Sequence, residues 1–285
     1  MIKLLKQRLD GYNARTPIQE EQAVKEILQE IALYALWRSD FFQSAAFQGG
    51  TSLRILHGLP RFSEDLDFIL QKPDPQFQWA PYFEKITAVF NEFGVRCTLS
   101  GRKQMNRAVQ QAMLKDDSIG RELSLSFYNT SAPRTLKVKL EIDTTPPEGS
   151  TFSWHYLDFP LDCEICAQDL PSNFALKLHA LLCRRYLKGR DWYDFAWYCK
   201  QKTIPNIPLL ANALQQTGPW KGQHIQADAT WLIEALSEKV HTIDWKKAAL
   251  DVAPFLSTAD QPSLALWNER FFSEKLQRLA LLPGA

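Results

Sequence analysis

Apolar residues at Val24, Ile27, Leu28, Ile31 and Ala35 recur with the spacing of one helix face. The run opens on Thr16-Pro17-Ile18-Gln19, which supplies an N-cap hydroxyl, a proline at the first helical position and a glutamine three residues past the cap. The spacing predicts a helix from there to about Arg38-Ser39-Asp40, with a short strand within Phe41–Phe47. A helix over Thr51–His57 ends at Gly58, and Pro60 blocks its resumption. Asp65–Leu70 is a short apolar-rich run that reads as a strand, followed by a proline-broken turn at Lys72-Pro73-Asp74-Pro75. A helix over Trp79–Phe93 stops at Gly94, and Val95–Leu99 reads as an edge strand. Glu122–Tyr128 and Leu136–Asp143 read as strands, and the second alternates cleanly. Val138, Leu140 and Ile142 share one face of it; Lys139, Glu141 and Asp143 share the other. Pro146-Pro147 and Gly149, within Thr144–Ser150, are expected to end the sheet.

Beyond Leu170-Pro171 the pattern is helical, which predicts a mixed α+β domain over residues 1–168 and a helical one over 169–285. Phe174, Leu178, Leu181 and Leu182 form the apolar face of a helix near Ser172–Leu187, with Lys177, Arg184 and Lys188 on another stripe. Gly189 is expected to break it, and Arg190-Asp191-Trp192-Tyr193-Asp194 to open the next helix with its two aspartates one turn apart. Asp191 also fits a helix start favoured by the dipole, Lys177 a solvated lysine, and Asp194 a partner for Arg184 or Arg190. Further helices are expected at Leu209–Gln216, Thr230–Lys239, Ile243–Val252 and Ser263–Leu282, with Trp220, Trp231, Trp245 and Trp267 filling a core.

Composition narrows the classes. The 285 residues are 45% hydrophobic and 23% charged, ordinary for a globular protein able to bury a sizeable core. A net charge of +1 advertises no overall affinity for nucleic acid, so such contacts must be local. One local candidate is the polar, basic Gly101–Gln110 segment with Arg102, Lys103 and Arg107, whose default reading is a surface loop. No apolar run approaches the roughly 18 residues of a membrane span, and MIKLLKQRLDGYNA does not read as a signal peptide, so a cytoplasmic protein without membrane contact is expected. Five cysteines argue against a disulfide framework, and Cys163-x-x-Cys166 lacks a second pair at zinc-site spacing.

The chemistry concentrates in Phe47–Leu70, FQGGTSLRILHGLPRFSEDLDFIL. In a strand, Asp65 and Asp67 project to one face, and two carboxylates that close resist joint ionisation unless a cation lies between them. Such oxygen-rich pairs suit Mg²⁺, which takes one or two carboxylates plus substrate phosphates. Gly49 and Gly50 allow a close backbone approach, and the helix starting near Thr51 points free N–H groups at a bound anion. Together these describe a site for a nucleoside triphosphate.

Gly-Gly-Thr-Ser followed by Asp-x-Asp resembles the signature of DNA polymerase beta-like nucleotidyltransferases, and GGTSLRILHGLPRFSEDLDF resembles the AbiEii/AbiGii-type toxins among them. ALKLHALLCRRYLKGRDWYDFAWY resembles a further motif of the same toxins, so the resemblance covers Phe47 to about Tyr198. It implies a small mixed sheet flanked by helices, followed by a helical C-terminal region, with the active site in a cleft between them. It implies nucleotidyl transfer in which Asp65, Asp67 and Glu141 hold two Mg²⁺ ions, with Mn²⁺ as a substitute, and Gly49, Gly50, Thr51 and Ser52 bind the β- and γ-phosphates. Leu140-Glu141-Ile142 matches the third motif, with Asp143 as the competing carboxylate on the same face. Lys177 would neutralise the triphosphate, and Asp191 or Asp194 would position that lysine or act as a base. The implied setting is a toxin–antitoxin or phage-defence system, with an NTP as substrate, RNA (tRNA 3′ ends above all) as acceptor and a separately encoded antitoxin. A small-molecule or protein acceptor, or a non-catalytic nucleotide-binding module, are the other readings.

Overall fold

The computed structural model describes residues 1–102, 108–116, 118–123, 125, 135–223 and 225–281. The chain forms two compact units, the first comprising Met1–Gly58, Phe62–Pro146 and Ser153–Ala167 and the second Leu59–Arg61, Pro147–Phe152 and Gln168–Ala285.

The first unit begins with α1 (Ile2–Gly11), an element the sequence reading passed over, and α2 (Pro17–Trp37). Thr16 caps α2 by accepting from the Gln19 amide at 3.3 Å, and the Gln19 side chain accepts from the Arg15 amide in return. A short 3₁₀ turn at Phe41–Gln43 precedes β1 (Ala45–Gln48), which runs straight into α3 (Gly49–His57), closed by Gly58 with φ 69°. The helix therefore starts at the glycine pair, two residues earlier than expected. After it come β2 (Asp65–Leu70), α4 (Ala80–Glu92), β3 (Cys97–Arg102), β4 (Val109–Asp116), the single turn α5 (Ile119–Glu122), β5 (Leu136–Asp143), β6 (Phe152–Leu157) and β7 (Cys163–Gln168).

Three expectations meet a difference here, the first two over the residues described. Gly101 and Arg102 complete β3 while Val109 and Gln110 open β4, so the ends of the expected loop are strand; Lys103 and Arg107 lie outside the described residues. Of the expected Glu122–Tyr128 strand, Glu122 ends a helical turn and residues 124 and 126–128 lie outside the described residues. Nor does the sheet end at Ser150, because β6 and β7 follow it.

Among the described residues the strands form one mixed sheet in the order β3-β4-β5-β2-β1-β7-β6. β2 pairs antiparallel with β1 and parallel with β5, and β1 also pairs parallel with β7. On β2, Leu66 and Phe68 are buried, Phe68 against Phe41 and Phe47, which leaves Asp65 and Asp67 on the opposite, half-buried face. Arg54 of α3 reaches Glu26 of α2 at 2.8 Å, tying the helix that follows the glycine pair to its neighbour. Cys163 and Cys166 are buried in β7 and, three apart on a strand, lie on opposite faces.

The second unit carries α6 (Leu170–Cys183), α7 (Gly189–Gln201), α8 (Ile207–Gln216), α9 (Ala229–Thr242), α10 (Trp245–Val252) and α11 (Glu269–Ala280). Asp169, Asn206, Asp228, Asp244 and Asn268 each cap the helix that follows by accepting a backbone amide three residues on. α6 stops at Cys183, so Arg184 and Lys188 do not extend its stripe; both sit in the connection to α7. Gly189 is not a breaker but the first residue of α7, where a Cβ would stand 1.9 Å from the Ala248 carbonyl oxygen of α10. Trp245 stacks on Phe272 at 4.0 Å and both are buried, as is Trp267, whereas Trp220 and Trp231 meet each other half-buried.

Candidate active site

In the first unit the parallel register sets Asp65 beside Lys139, Asp67 beside Glu141 and Ile69 beside Asp143. Cross-strand partners share a face, so Asp65, Asp67 and Glu141 stand together although 74 residues separate Asp67 from Glu141 in sequence. Asp143 lies one step further along, where its carboxylate accepts the Thr145 amide at 2.9 Å. Burial raises its pKa, the opposite of what a cation ligand needs.

Glu141 is already engaged on both oxygens, by the Gln111 amide and by the Lys139 ammonium at 3.0 Å. Burial lowers the Lys139 pKa, but the bond to Glu141 and the charges of Asp65, Glu141 and Asp67 outweigh it and raise the net value. One ammonium thus lies in the field of three carboxylates. That surplus of negative charge on oxygen donors fits a hard divalent cation held first by Asp65 and Asp67. Among the described residues, no group of three or more His, Cys, Asp or Glu is gathered as a finished metal cluster. Glu141 would join such a shell by exchanging its present partners.

Gly49 packs directly against one of these carboxylates, Asp67. Gly49 has φ 77°, and a Cβ on it would fall 2.7 Å from Asp67 Oδ2. Glycine is required twice over, for the left-handed backbone and for the room Asp67 occupies. Thr51 and Ser52 are buried, and their hydroxyls donate to backbone carbonyls, Thr51 to Asp65 and Ser52 to Gly49 at 2.8 Å. The Thr51 bond joins the start of α3 to the start of β2. These side chains therefore build the turn, and an anion here would meet the N-terminus of α3, which begins at Gly49.

The second unit gathers Lys177, Asp191 and Asp194, with an unanticipated member. Lys177 Nζ lies 2.9 Å from Asp191 Oδ1 and 2.9 Å from Asp194 Oδ2. Asp194, fully buried, is gripped by the buried Arg61 through two parallel bonds of 2.6 and 2.7 Å. Arg184 bonds the other oxygen of Asp191. The expected Asp194 pairing with Arg184 or Arg190 is thus replaced by Arg61 and Lys177. Burial raises the Asp191 pKa, but Lys177, Arg184 and Lys188 overcome it and bring the value to about 2. Asp194 is likewise lowered, burial being outweighed by Arg61 and Lys177. Carboxylates so strongly held as anions are poor proton acceptors, so the arrangement favours positioning Lys177 over general-base work. Arg61 lies inside the GGTSLRILHGLPRFSEDLDF motif, but nothing local assigns its role, because its partner lies 133 residues away.

Direct sequence search finds no significant match among curated proteins. Among solved structures, a presumptive nucleotidyltransferase from H. pylori aligns with TM-score 0.52 and 17% identity, covering 90% of this chain and 92% of that one. JHP933 from Helicobacter pylori aligns with TM-score 0.49 and 17% identity, covering 92% and 90% of the two chains. At such identity the first likeness supports the fold, and the sequence profile described as "Nucleotidyl transferase AbiEii toxin, Type IV TA system" extends it to the family by matching residues 31–276. The chain belongs to the AbiEii family of nucleotidyltransferase toxins.

Proposed function

We propose that this nucleotidyltransferase moves a nucleoside monophosphate from an NTP to a hydroxyl of an RNA acceptor, with the tRNA 3′ end the expected target. The observation carrying the reading is the in-register pairing of Asp67 with Glu141, with Asp65 on the same face and Gly49 packed against Asp67. The acceptor hydroxyl releases its proton to solvent as its oxygen attacks the α-phosphorus; a P–O bond forms to it, and the bond to the β-phosphate oxygen breaks to release pyrophosphate. Mg²⁺, or Mn²⁺ in its place, held by Asp65 and Asp67 with Glu141 as a third ligand, would neutralise phosphate charge and lower the acceptor hydroxyl's pKa. The α3 first-turn amides are assigned to the β- and γ-phosphates, and Lys177, fixed by two carboxylates, to triphosphate charge. Family membership implies an antitoxin; we assign it to a separate gene and the pair to phage defence. We assign the toxin's site of action to the cytoplasm; no described helix is long and apolar enough to cross a membrane.

The test is incubation with Mg²⁺, total cellular RNA and each labelled NTP, beside an Asp65→Ala/Asp67→Ala control. Label in a tRNA-sized band from the intact protein alone is the expected result. NTP binding with no labelled RNA would overturn the RNA acceptor and direct attention to small molecules or proteins.

A further inference from the structure

The second unit contains a cavity of about 360 Å³ between the end of α6, the 184–188 connection, the start of α7 and the α9–α10 junction. Its wall carries Arg184, Arg185, Lys188, Lys239 and Lys247 against two acids, Asp191 and Asp244. Two carboxylates offset five cations only in part. Asp191 is bonded to Lys177 and Arg184, and Asp244 caps α10 by accepting the Lys247 amide at 3.0 Å. Arg185, Lys188, Lys239 and Lys247 make no ion pair among the described residues. Burial and the neighbouring Lys177, Arg184 and Arg190 outweigh Asp191 and lower the Lys188 pKa, as expected for a cation short of counter-charge. Concentrated positive charge of this kind is unusual in a chain whose net charge is only +1.

The wall also carries an aromatic ring with little to cover it. Tyr186 is 66% exposed, and the Arg184 guanidinium lies 5.1 Å from its ring centroid. A basic recess next to an exposed aromatic is the arrangement by which proteins hold single-stranded nucleic acid, phosphate in the charge and base on the ring. A volume at the low end of ligand pockets suits one or two nucleotide units.

We propose that this cavity binds backbone phosphate at the single-stranded end of the RNA acceptor, with Arg185, Lys188, Lys239 and Lys247 around the phosphate and Tyr186 stacking an adjacent base. The inference rests on the RNA-acceptor reading. The NTP is the other source of phosphate, but it already has the α3 amides and Lys177 assigned to it, neither of which lines this cavity, and needs no exposed ring here.

The experiment is fluorescence anisotropy of the full chain with a labelled single-stranded RNA oligonucleotide across a salt series, with NTP binding measured in parallel by equilibrium dialysis. Lys239→Gln/Lys247→Gln should weaken RNA binding about tenfold and flatten the slope of log affinity against log salt by about 1.4, some 0.7 per lost contact. Tyr186→Ala should weaken it about tenfold with the slope unchanged. NTP affinity should hold in both variants, and circular dichroism should confirm their folds. Wild-type RNA affinity and slope in the lysine variant would overturn the cavity while leaving the acceptor reading intact. Loss of NTP binding with RNA binding retained would also overturn it, because the phosphate would then be the nucleotide's. If the unaltered protein binds NTP but no RNA at any salt, the acceptor reading falls and takes this inference with it.

Discussion

Replacing Gly49 by alanine separates the cost of folding from the cost of chemistry. At φ 77° an alanine pays a left-handed backbone penalty of about 1–2 kcal/mol, a modest share of a domain's stability. The larger effect falls on Asp67. The new methyl would meet Oδ2 at 2.7 Å, Cβ at 3.1 Å and Cγ at 3.3 Å, so the obstruction includes the stem of the side chain as well as its tip. Restoring ordinary contact of 3.4 Å requires the carboxylate to retreat by about 0.7 Å. Misplacement on the order of 1 Å costs roughly a hundredfold in rate, so nucleotidyl transfer should fall about 10- to 100-fold. The assay is initial-rate incorporation of labelled nucleotide at saturating NTP, set beside a urea unfolding curve of the same preparation. Transfer within threefold of the unaltered protein would refute the claim that Gly49 makes room for Asp67. A loss of rate explained wholly by a loss of folded protein would refute it equally.

Arg61→Met should cost about 3–5 kcal/mol in urea denaturation, because Asp194 is left fully buried with Lys177 alone; a loss under about 1 kcal/mol would show the fork is dispensable. Asp191 titrates lower in the fold than its ordinary 3.8, so its stabilisation is complete above about pH 5 and fades as pH falls toward 2. About 2 kcal/mol should disappear across that window, and Asp191→Asn should flatten the pH dependence of the urea midpoint. Lys139→Met removes the ammonium lying among Asp65, Asp67 and Glu141, so Mg²⁺ binding measured by calorimetry should tighten severalfold. Weaker binding would mean that Lys139 assists the cation instead of competing with it.

The central strands were legible because they state their period within a few residues. β2 falls on the short apolar-rich run Asp65–Leu70, β5 where the alternation of Leu136–Asp143 places it, and the α2 start follows from its Thr-Pro cap. The pairing of Glu141 beside Asp67 was suggested by motif resemblance, but the register that creates it is a long-range property. β6 and β7 were missed because Pro146-Pro147 and Gly149 signal a stop, while the chain merely turns before Phe152. In β7 almost every side chain is buried, so no alternation survives to announce it. The end of α6 was misplaced for a different reason. The basic residues past Cys183 keep helical spacing, but Arg184 turns extended and bonds Asp191. Among the candidate site residues, Thr51 and Ser52 read naturally as phosphate ligands, and only the fold reveals that their hydroxyls serve the backbone.

The three residues Leu59–Arg61 belong to the second unit although the chain on either side of them belongs to the first. Dissection of this toxin by expression of separate pieces is constrained by that detour. A fragment beginning near residue 168 would contain every helix from α6 onward yet lack the guanidinium that neutralises Asp194. Its interior would hold Asp194 with Lys177 as its one remaining cation, a lysine that Asp191 also shares. Splitting the gene at the apparent sequence junction should therefore yield halves that recover only when Arg61 is supplied, by co-expression or by grafting the short segment back.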